Sequence, residues 1–85
     1  MAHWEKLLKR VLDGRADANI AFDDLRGLLS RLGYAEHIKG DHHILRIAGR
    51  PEIIDIQPRK DGKAKAYQVR QVRAIFHTYG ISSVP

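Results

Sequence analysis

The feature that most constrains this fold is a block of short extended segments between residues 34 and 57, interrupted every few residues by glycine or proline. Gly40–Asp41 and Gly49–Arg50–Pro51 are turn sequences, and they divide the block into predicted strands at 34–39, 42–48 and 52–57. Connections this short join antiparallel neighbours, because parallel strands need a crossover of about a dozen residues or more. The sequence therefore predicts a three-stranded antiparallel sheet.

Segments with the apolar spacing of helices precede and follow the predicted strands in the sequence. Apolar residues recur at helical spacing over residues 4–12, 25–32 and 67–79. Asp23 has the residue type of an N-cap and is predicted to start the second helix, with Phe22 before it packing onto the first turn. Three helices are therefore expected, two before the sheet and one after it.

The predicted order is α-α-β-β-β-α, an α+β fold in one domain of 85 residues. Residues 20–79 are expected to form the core of this domain, with the second and last helices covering one face of the sheet. Residues 1–14 form an N-terminal helical extension outside that core. The second sheet face is expected to stay open.

Composition excludes several classes of protein. The chain has no cysteine, which excludes a disulfide framework and a thiolate metal site. Its apolar runs are far shorter than the roughly 20 residues of a membrane span, and charged residues interrupt the N-terminal stripe, unlike a signal peptide. We therefore expect a cytoplasmic protein, and its length leaves no room for a separate cofactor domain.

Positive charge is concentrated in one stretch of the chain. Fifteen Lys and Arg against ten Asp and Glu give a formal net charge of +5. Residues 59–73 hold six basic side chains and one acid, which is also +5, whereas residues 1–33 hold six basic and five acidic side chains. Such clustering favours a polyanionic partner, nucleic acid ahead of acidic protein. The alternative is an ordinary solvated surface.

Two adjacent histidines start the second predicted strand. Because strand side chains alternate, His42 and His43 must face opposite sides of the sheet. His43 shares its parity with the more apolar residues and is expected against the helices, whereas His42 is expected on the open face beside Arg46. An imidazole there could take a proton from a ribose 2′-hydroxyl. The alternatives are an ordinary surface histidine and, much less favoured, a metal site with His37.

The candidate RNA-binding residues are basic side chains around that face and along the last helix. Lys63 and Lys65 precede the helix and are expected to converge with its unpaired N–H groups on an anion. Tyr34 and Tyr67 are the aromatic residues placed to stack on bases, but their scarcity favours recognition of phosphate and shape. The full predicted set is Lys39, Arg46, Arg59, Lys63, Lys65, Arg70 and Arg73.

Several segments together resemble the HicA family of type II toxin–antitoxin toxins. The resemblance rests on residues 17–25, on Gly40-Asp41-His42-His43-Ile44, on Ile56-Gln57-Pro58 and, most specifically, on residues 62–73, and it covers nearly the whole chain. It implies a fold like the double-stranded-RNA-binding domain and an mRNA interferase activity that arrests translation. It also implies neutralisation by a HicB-type antitoxin.

In the HicA family the essential histidine follows a Gly-Ser pair, and it matches His42. The serine is Asp41 here, where a carboxylate would repel an incoming phosphate, and the proline usual before the Tyr-Gln-Val run is Ala66. The expected reaction is metal-independent endoribonuclease cleavage with His42 as the base and His43, Lys63 or water as the acid. The alternatives are a cleavage-deficient relative or RNA-binding module and a plain protein-interaction domain.

Overall fold

The computed structural model describes residues 3–85, and the predicted order of helices and strands is confirmed. A short 3-10 turn at Asp17–Asn19 lies between the first two helices. The helices are α1 (His3–Asp13), α2 (Phe22–Arg31) and α3 (Ala66–Thr78), and the strands are β1 (Ala35–Lys39), β2 (His42–Arg46) and β3 (Ile54–Ile56).

The hydrophobic core lies between the three helices and one face of the sheet. Helix α1 packs against α2 and α3. Leu8 and Val11 of this helix are completely buried, so α1 belongs to the core rather than lying outside it. The core side chains include Leu7, Leu8 and Val11 from α1, Leu25, Leu28 and Leu29 from α2, Leu45, Ile54 and Ile56 from the sheet, and Val69, Val72 and Phe76 from α3.

The sheet has the order β1-β2-β3, with both neighbouring pairs antiparallel. Gly40 turns the chain between β1 and β2 with a φ of 62°, a left-handed conformation that glycine adopts without strain. Residues opposite each other in the register share a face. Lys39 therefore lies beside His42, and His37, Ile44 and Asp55 form the next row on the open face.

Asp23 is not the N-cap of α2, and this prediction was wrong. The helix begins two residues earlier, at Phe22, after an extended Ala21 whose side chain makes no capping bond. A tertiary contact replaces the cap, because the backbone N–H of Phe22 donates to the carbonyl of Gly62 at 3.0 Å. Asp23 lies inside the first turn instead, where a carboxylate is favourable, and it binds Arg26 at 3.0 Å.

The loop before α3 is fixed to the start of α2 by backbone contacts. Ala21 and Lys63 form an isolated antiparallel bridge, and the N–H of Ala64 donates to the carbonyl of Ile20 at 2.8 Å. These contacts set where α3 begins relative to the sheet. Across residues 3–85, no helix combines the length and apolar character needed to cross a membrane.

Candidate active site on the open sheet face

The predicted alternation of the two histidines is confirmed. The His42 side chain is 49% exposed on the open face, whereas the His43 side chain is 13% exposed. The His43 ring packs edge-on against Phe22 at a centroid distance of 4.8 Å, and its Nδ1 lies 2.8 Å from the carboxylate of Glu36. His42 is therefore the histidine of this pair that solvent and a ligand on the open face can reach.

A chain of hydrogen bonds joins four side chains, His42, Asp55, Gln57 and Lys65, which we call the His42 network. His42 Nδ1 lies 3.1 and 3.2 Å from the two carboxylate oxygens of Asp55. The side-chain amide nitrogen of Gln57 lies 2.8 Å from His42 Nε2 and 3.0 Å from Nδ1. The ammonium of Lys65 donates to Oε1 of Gln57 at 2.8 Å.

The contacts of the His42 network favour one tautomer of the imidazole. Lys65 only donates, so the Gln57 oxygen must face it and the Gln57 NH₂ must face His42. That NH₂ needs a lone pair, and Asp55 needs a donor. A ring protonated on Nδ1 would donate to Asp55 and leave the Nε2 lone pair to accept from Gln57, although the same amide nitrogen also lies 3.0 Å from Nδ1. Nε2 is thus the nitrogen that we assign as the base.

The predicted RNA-binding cations lie in different parts of the structure. Lys39 and Arg46 lie on the open face with His42, and Lys65 joins its network. Arg59 binds Asp61 at 2.9 Å, and Lys63 donates to Asn19 at 2.9 Å, so these two loop residues are engaged away from His42. The predicted convergence of Lys63 and Lys65 on one anion is therefore not observed. Arg70 is exposed on α3.

Arg73 differs from the other predicted cations because it is held inside the fold. Its guanidinium donates two hydrogen bonds to Asp17, at 2.8 and 3.0 Å, and a third to the carbonyl of Val11 at 3.0 Å. Its side chain is only 18% exposed. The predicted continuation of the basic edge to Arg73 therefore does not hold, because its charge is paired with a carboxylate from the 3-10 turn.

Glu36 organises the opposite face of the sheet. It accepts two hydrogen bonds from Arg26, at 2.7 and 2.9 Å, as well as the contact from His43. The Arg26 hydrogen bond, together with that from His43, outweighs partial burial and lowers the pKa of Glu36 to about 2. His43 therefore contacts Glu36 on the face opposite His42, too far round the sheet to act as the general acid for chemistry at His42.

Asp55 and Gln57 are site residues that were not predicted from the sequence. Asp55 lies in β3 and Gln57 directly follows it with the same parity, whereas Ile54 and Ile56 are buried. The two tyrosines predicted to stack on bases differ in exposure. Tyr34 is buried, but Tyr67 is 49% exposed at the start of α3. Strand parity could have placed Asp55 and Gln57 on the correct face, but only the β2–β3 register brings them to His42.

Searches with the chain found no matching protein-family model, curated protein or solved structure. Among residues 3–85, no three His, Cys, Asp or Glu side chains are grouped as potential metal ligands.

Proposed function

We propose that this protein is a small ribonuclease toxin of the HicA type, an mRNA interferase that acts in the cytoplasm. The observation that carries the proposal is the His42 network, in which an exposed imidazole has its Nδ1 held by Asp55 and its Nε2 directed away from that carboxylate. Lys39, Arg46 and Lys65 supply positive charge on the same side of the protein. The resemblance to HicA sequences assigns the essential role to this same histidine.

The proposed reaction is a transesterification within the RNA. Nε2 of His42 takes the proton of a ribose 2′-hydroxyl, and O2′ forms a bond to the neighbouring phosphorus. The bond from phosphorus to the 5′-oxygen breaks, that oxygen takes a proton from water, and the hydroxide left takes the proton from His42, which restores the neutral base. The products are a 2′,3′-cyclic phosphate and a 5′-hydroxyl end, with Asp55 stabilising the imidazolium formed on His42.

Gln57 and Lys65 contribute to substrate binding in this scheme. The Gln57 amide occupies Nε2, so an incoming 2′-hydroxyl displaces it and takes over its hydrogen bond. That displacement also frees the Lys65 ammonium from the Gln57 oxygen. A lysine released beside the phosphate offsets the negative charge that develops in the transition state.

The proposed protein partner is a HicB-type antitoxin that covers the open face. Lys39, Arg46 and Lys65 give this face a positive character, so an acidic segment of the antitoxin would complement it. Occupation of the same surface would exclude RNA and shield His42. Inhibition is then competitive, and RNA and antitoxin displace each other.

The test is cleavage of single-stranded RNA by purified wild-type protein and by His42→Ala, with and without a chelator. We expect wild-type cleavage to leave cyclic phosphate ends and to persist in chelator. His42→Ala should lose at least about 100-fold, because a positioned general base contributes roughly 10²- to 10⁴-fold. His37→Ala is the matched control, since His37 is also exposed on the open face but lies one row away.

Equal cleavage by wild type and His42→Ala would contradict the catalytic role of this histidine. Loss of cleavage in chelator would contradict the metal-independent mechanism. Salt-sensitive RNA binding without cleavage would support the alternative of a cleavage-deficient HicA relative or RNA-binding module. Absence of salt-sensitive RNA affinity would contradict both the ribonuclease and the RNA-binding module. Phosphate contacts release counterions, so either protein should bind RNA in a salt-dependent way.

A further inference from the structure

The His42 network forms one wall of an open cavity of about 270 Å³. The opposite wall comes from the first two turns of α3, which packs against β3. This volume lies below the roughly 300 to 1,000 Å³ of pockets for drug-sized ligands, so it suits a single ring system. The lining side chains are His42, Asp55, Gln57, Tyr67, Gln68 and Gln71.

One wall residue is fixed by the fold and unavailable to a ligand. Gln68 is almost fully buried, at 4% exposure. Its Oε1 accepts the backbone N–H of Gln57 at 3.0 Å, and its Nε2 donates to the hydroxyl of Tyr67 at 3.2 Å. Gln68 therefore links β3 to α3 and holds the Tyr67 ring by its hydroxyl, which sets the shape of the cavity.

Two wall residues have capacity left for a ligand. Tyr67 presents an aromatic ring that is 49% exposed. Gln71 is exposed, and within residues 3–85 its amide makes no hydrogen bond. The two residues are four apart on α3, so they lie side by side on one helix face. A flat apolar surface and an unpaired amide therefore occur together at the cavity.

We infer that this cavity binds one unpaired nucleobase next to the bond that is cleaved. Stacking on Tyr67 would hold the face of the base, and the Gln71 amide would read its edge, since an amide both donates and accepts. This inference rests on the proposed function and deepens it. Tyr67 and Gln71 become residues that determine which nucleotide is selected, whereas His42 performs the chemistry.

The inference also specifies the class of RNA. A base inside a duplex has its faces covered by neighbours and its pairing edge occupied, so it cannot enter the cavity without leaving the stack. The substrate is therefore single-stranded, or unpaired at the cleavage site. This differs from the sequence prediction, in which the scarcity of aromatic residues favoured recognition of phosphate and shape.

The first experiment measures binding of wild type, Tyr67→Ala and Tyr67→Phe to 2′-O-methyl RNA, which cannot be cleaved. We expect wild type to prefer the single strand over a duplex of the same sequence. Tyr67→Ala should weaken binding to the single strand by about tenfold, in line with aromatic stacking, and bind the duplex like wild type. Tyr67→Phe is the matched control and should lose much less affinity than Tyr67→Ala, because it keeps the ring and removes only the hydroxyl contact to Gln68.

The second experiment maps cleavage sites in RNA with randomised sequence. Wild type should show a base preference at one position beside the cleaved bond, and Gln71→Ala should reduce that preference several-fold while cleavage continues. An unchanged preference in Gln71→Ala together with unchanged single-strand binding by Tyr67→Ala would overturn the nucleobase site and leave the ribonuclease proposal intact. A wild-type protein that neither binds nor cleaves RNA would overturn both.

Discussion

Asp17 and Arg73 are joined by a bidentate ion pair, with hydrogen bonds of 2.8 and 3.0 Å. The pair connects the 3-10 turn to the middle of α3. The third bond of Arg73, to the carbonyl of Val11, adds the last turn of α1. One guanidinium thus ties three segments together, and the hydrogen bond from Arg73 lowers the pKa of Asp17.

Arg73→Ala should destabilise the protein by about 2–3 kcal/mol, because it removes charge-assisted hydrogen bonds and leaves the largely buried Asp17 carboxylate without its partner. The measurement is urea unfolding at pH 7. Arg70→Ala is the matched control one turn earlier on α3, and as an exposed residue it should change the unfolding free energy by less than about 0.5 kcal/mol. Equal effects of the two substitutions would contradict the structural role of Arg73.

Glu36 should make the protein sensitive to acid. Its pKa is about 2 in the folded state and 4.5 for an unperturbed glutamate, so folding favours the ionised form. The stabilisation is therefore complete above about pH 4.5 and is lost as pH falls toward 2, by roughly 2–3 kcal/mol in all. Urea unfolding of wild type at a series of pH values between 7 and 2 measures this loss.

Glu36→Gln supplies the control for that acid sensitivity. It should be less stable than wild type at pH 7, because Arg26 and His43 lose their ionised partner. The difference between variant and wild type should shrink as pH falls below 4.5, since the wild-type carboxylate is then protonated. A difference that is constant from pH 7 to pH 2 would show that Glu36 is not the group responsible.

Asp55 is expected to act as a positioning residue for His42. Asp55→Ala removes the acceptor of Nδ1–H, so the ring loses both its preferred tautomer and support for the imidazolium. RNA cleavage should fall by at least about tenfold, with little change in stability, because Asp55 is exposed. Nitrogen NMR of His42 is a second readout: wild type should hold its proton on Nδ1, and the variant should mix tautomers.

Asp41 is expected to weaken RNA binding by its charge. It lies exposed in the turn before His42, so Asp41→Ser removes a negative charge where RNA phosphate would approach. The affinity for RNA should rise by a few-fold at low salt, and the gain should shrink at high salt, where exposed charges are screened. Asp61→Ser, in the loop beside Arg59, is the control and should have a smaller effect. An unchanged affinity in Asp41→Ser would place the RNA backbone elsewhere.

Most of the fold follows from sequence periodicity, because apolar spacing and glycine or proline turns fix the order of the elements. The start of α2 could not be predicted in this way. Phe22 satisfies its N–H with the carbonyl of Gly62, forty residues along the chain, so no local capping residue is required. Asp23 has the composition of a cap, but tertiary contacts of Ala21 decide where the helix begins.

The candidate site was only partly predictable for the same reason. The alternation of His42 and His43 is a local property of a strand and was predicted correctly. The His42 network depends on long-range geometry, because Asp55 and Gln57 reach His42 through the strand register and Lys65 reaches Gln57 through the loop contacts. Arg73 was likewise placed among the RNA-binding cations from the charge count of residues 59–73. Composition cannot reveal that the distant carboxylate of Asp17 neutralises it.

The contact between Trp4 and Gly27 determines how closely α1 and α2 approach. A Cβ atom on Gly27 would lie 2.8 Å from Cζ3 of Trp4 and nearer still to Cη2, so the indole rests on the bare backbone of α2. Gly27→Ala should therefore destabilise the protein by about 1 kcal/mol, although alanine is the better helix former by roughly the same amount. Urea unfolding followed by circular dichroism measures the change, and emission from Trp4, the single tryptophan, reports whether the indole moves.

A double-mutant cycle separates the clash between Trp4 and Gly27 from the helix propensity of residue 27. In a Trp4→Ala background the space above Gly27 is empty, so adding the methyl group should stabilise the protein by up to about 1 kcal/mol. The sign of the Gly27→Ala effect thus reverses with the residue at position 4. If Gly27→Ala is destabilising in both backgrounds, the glycine is required by something other than the indole, and the packing of α1 on α2 described above is incorrect.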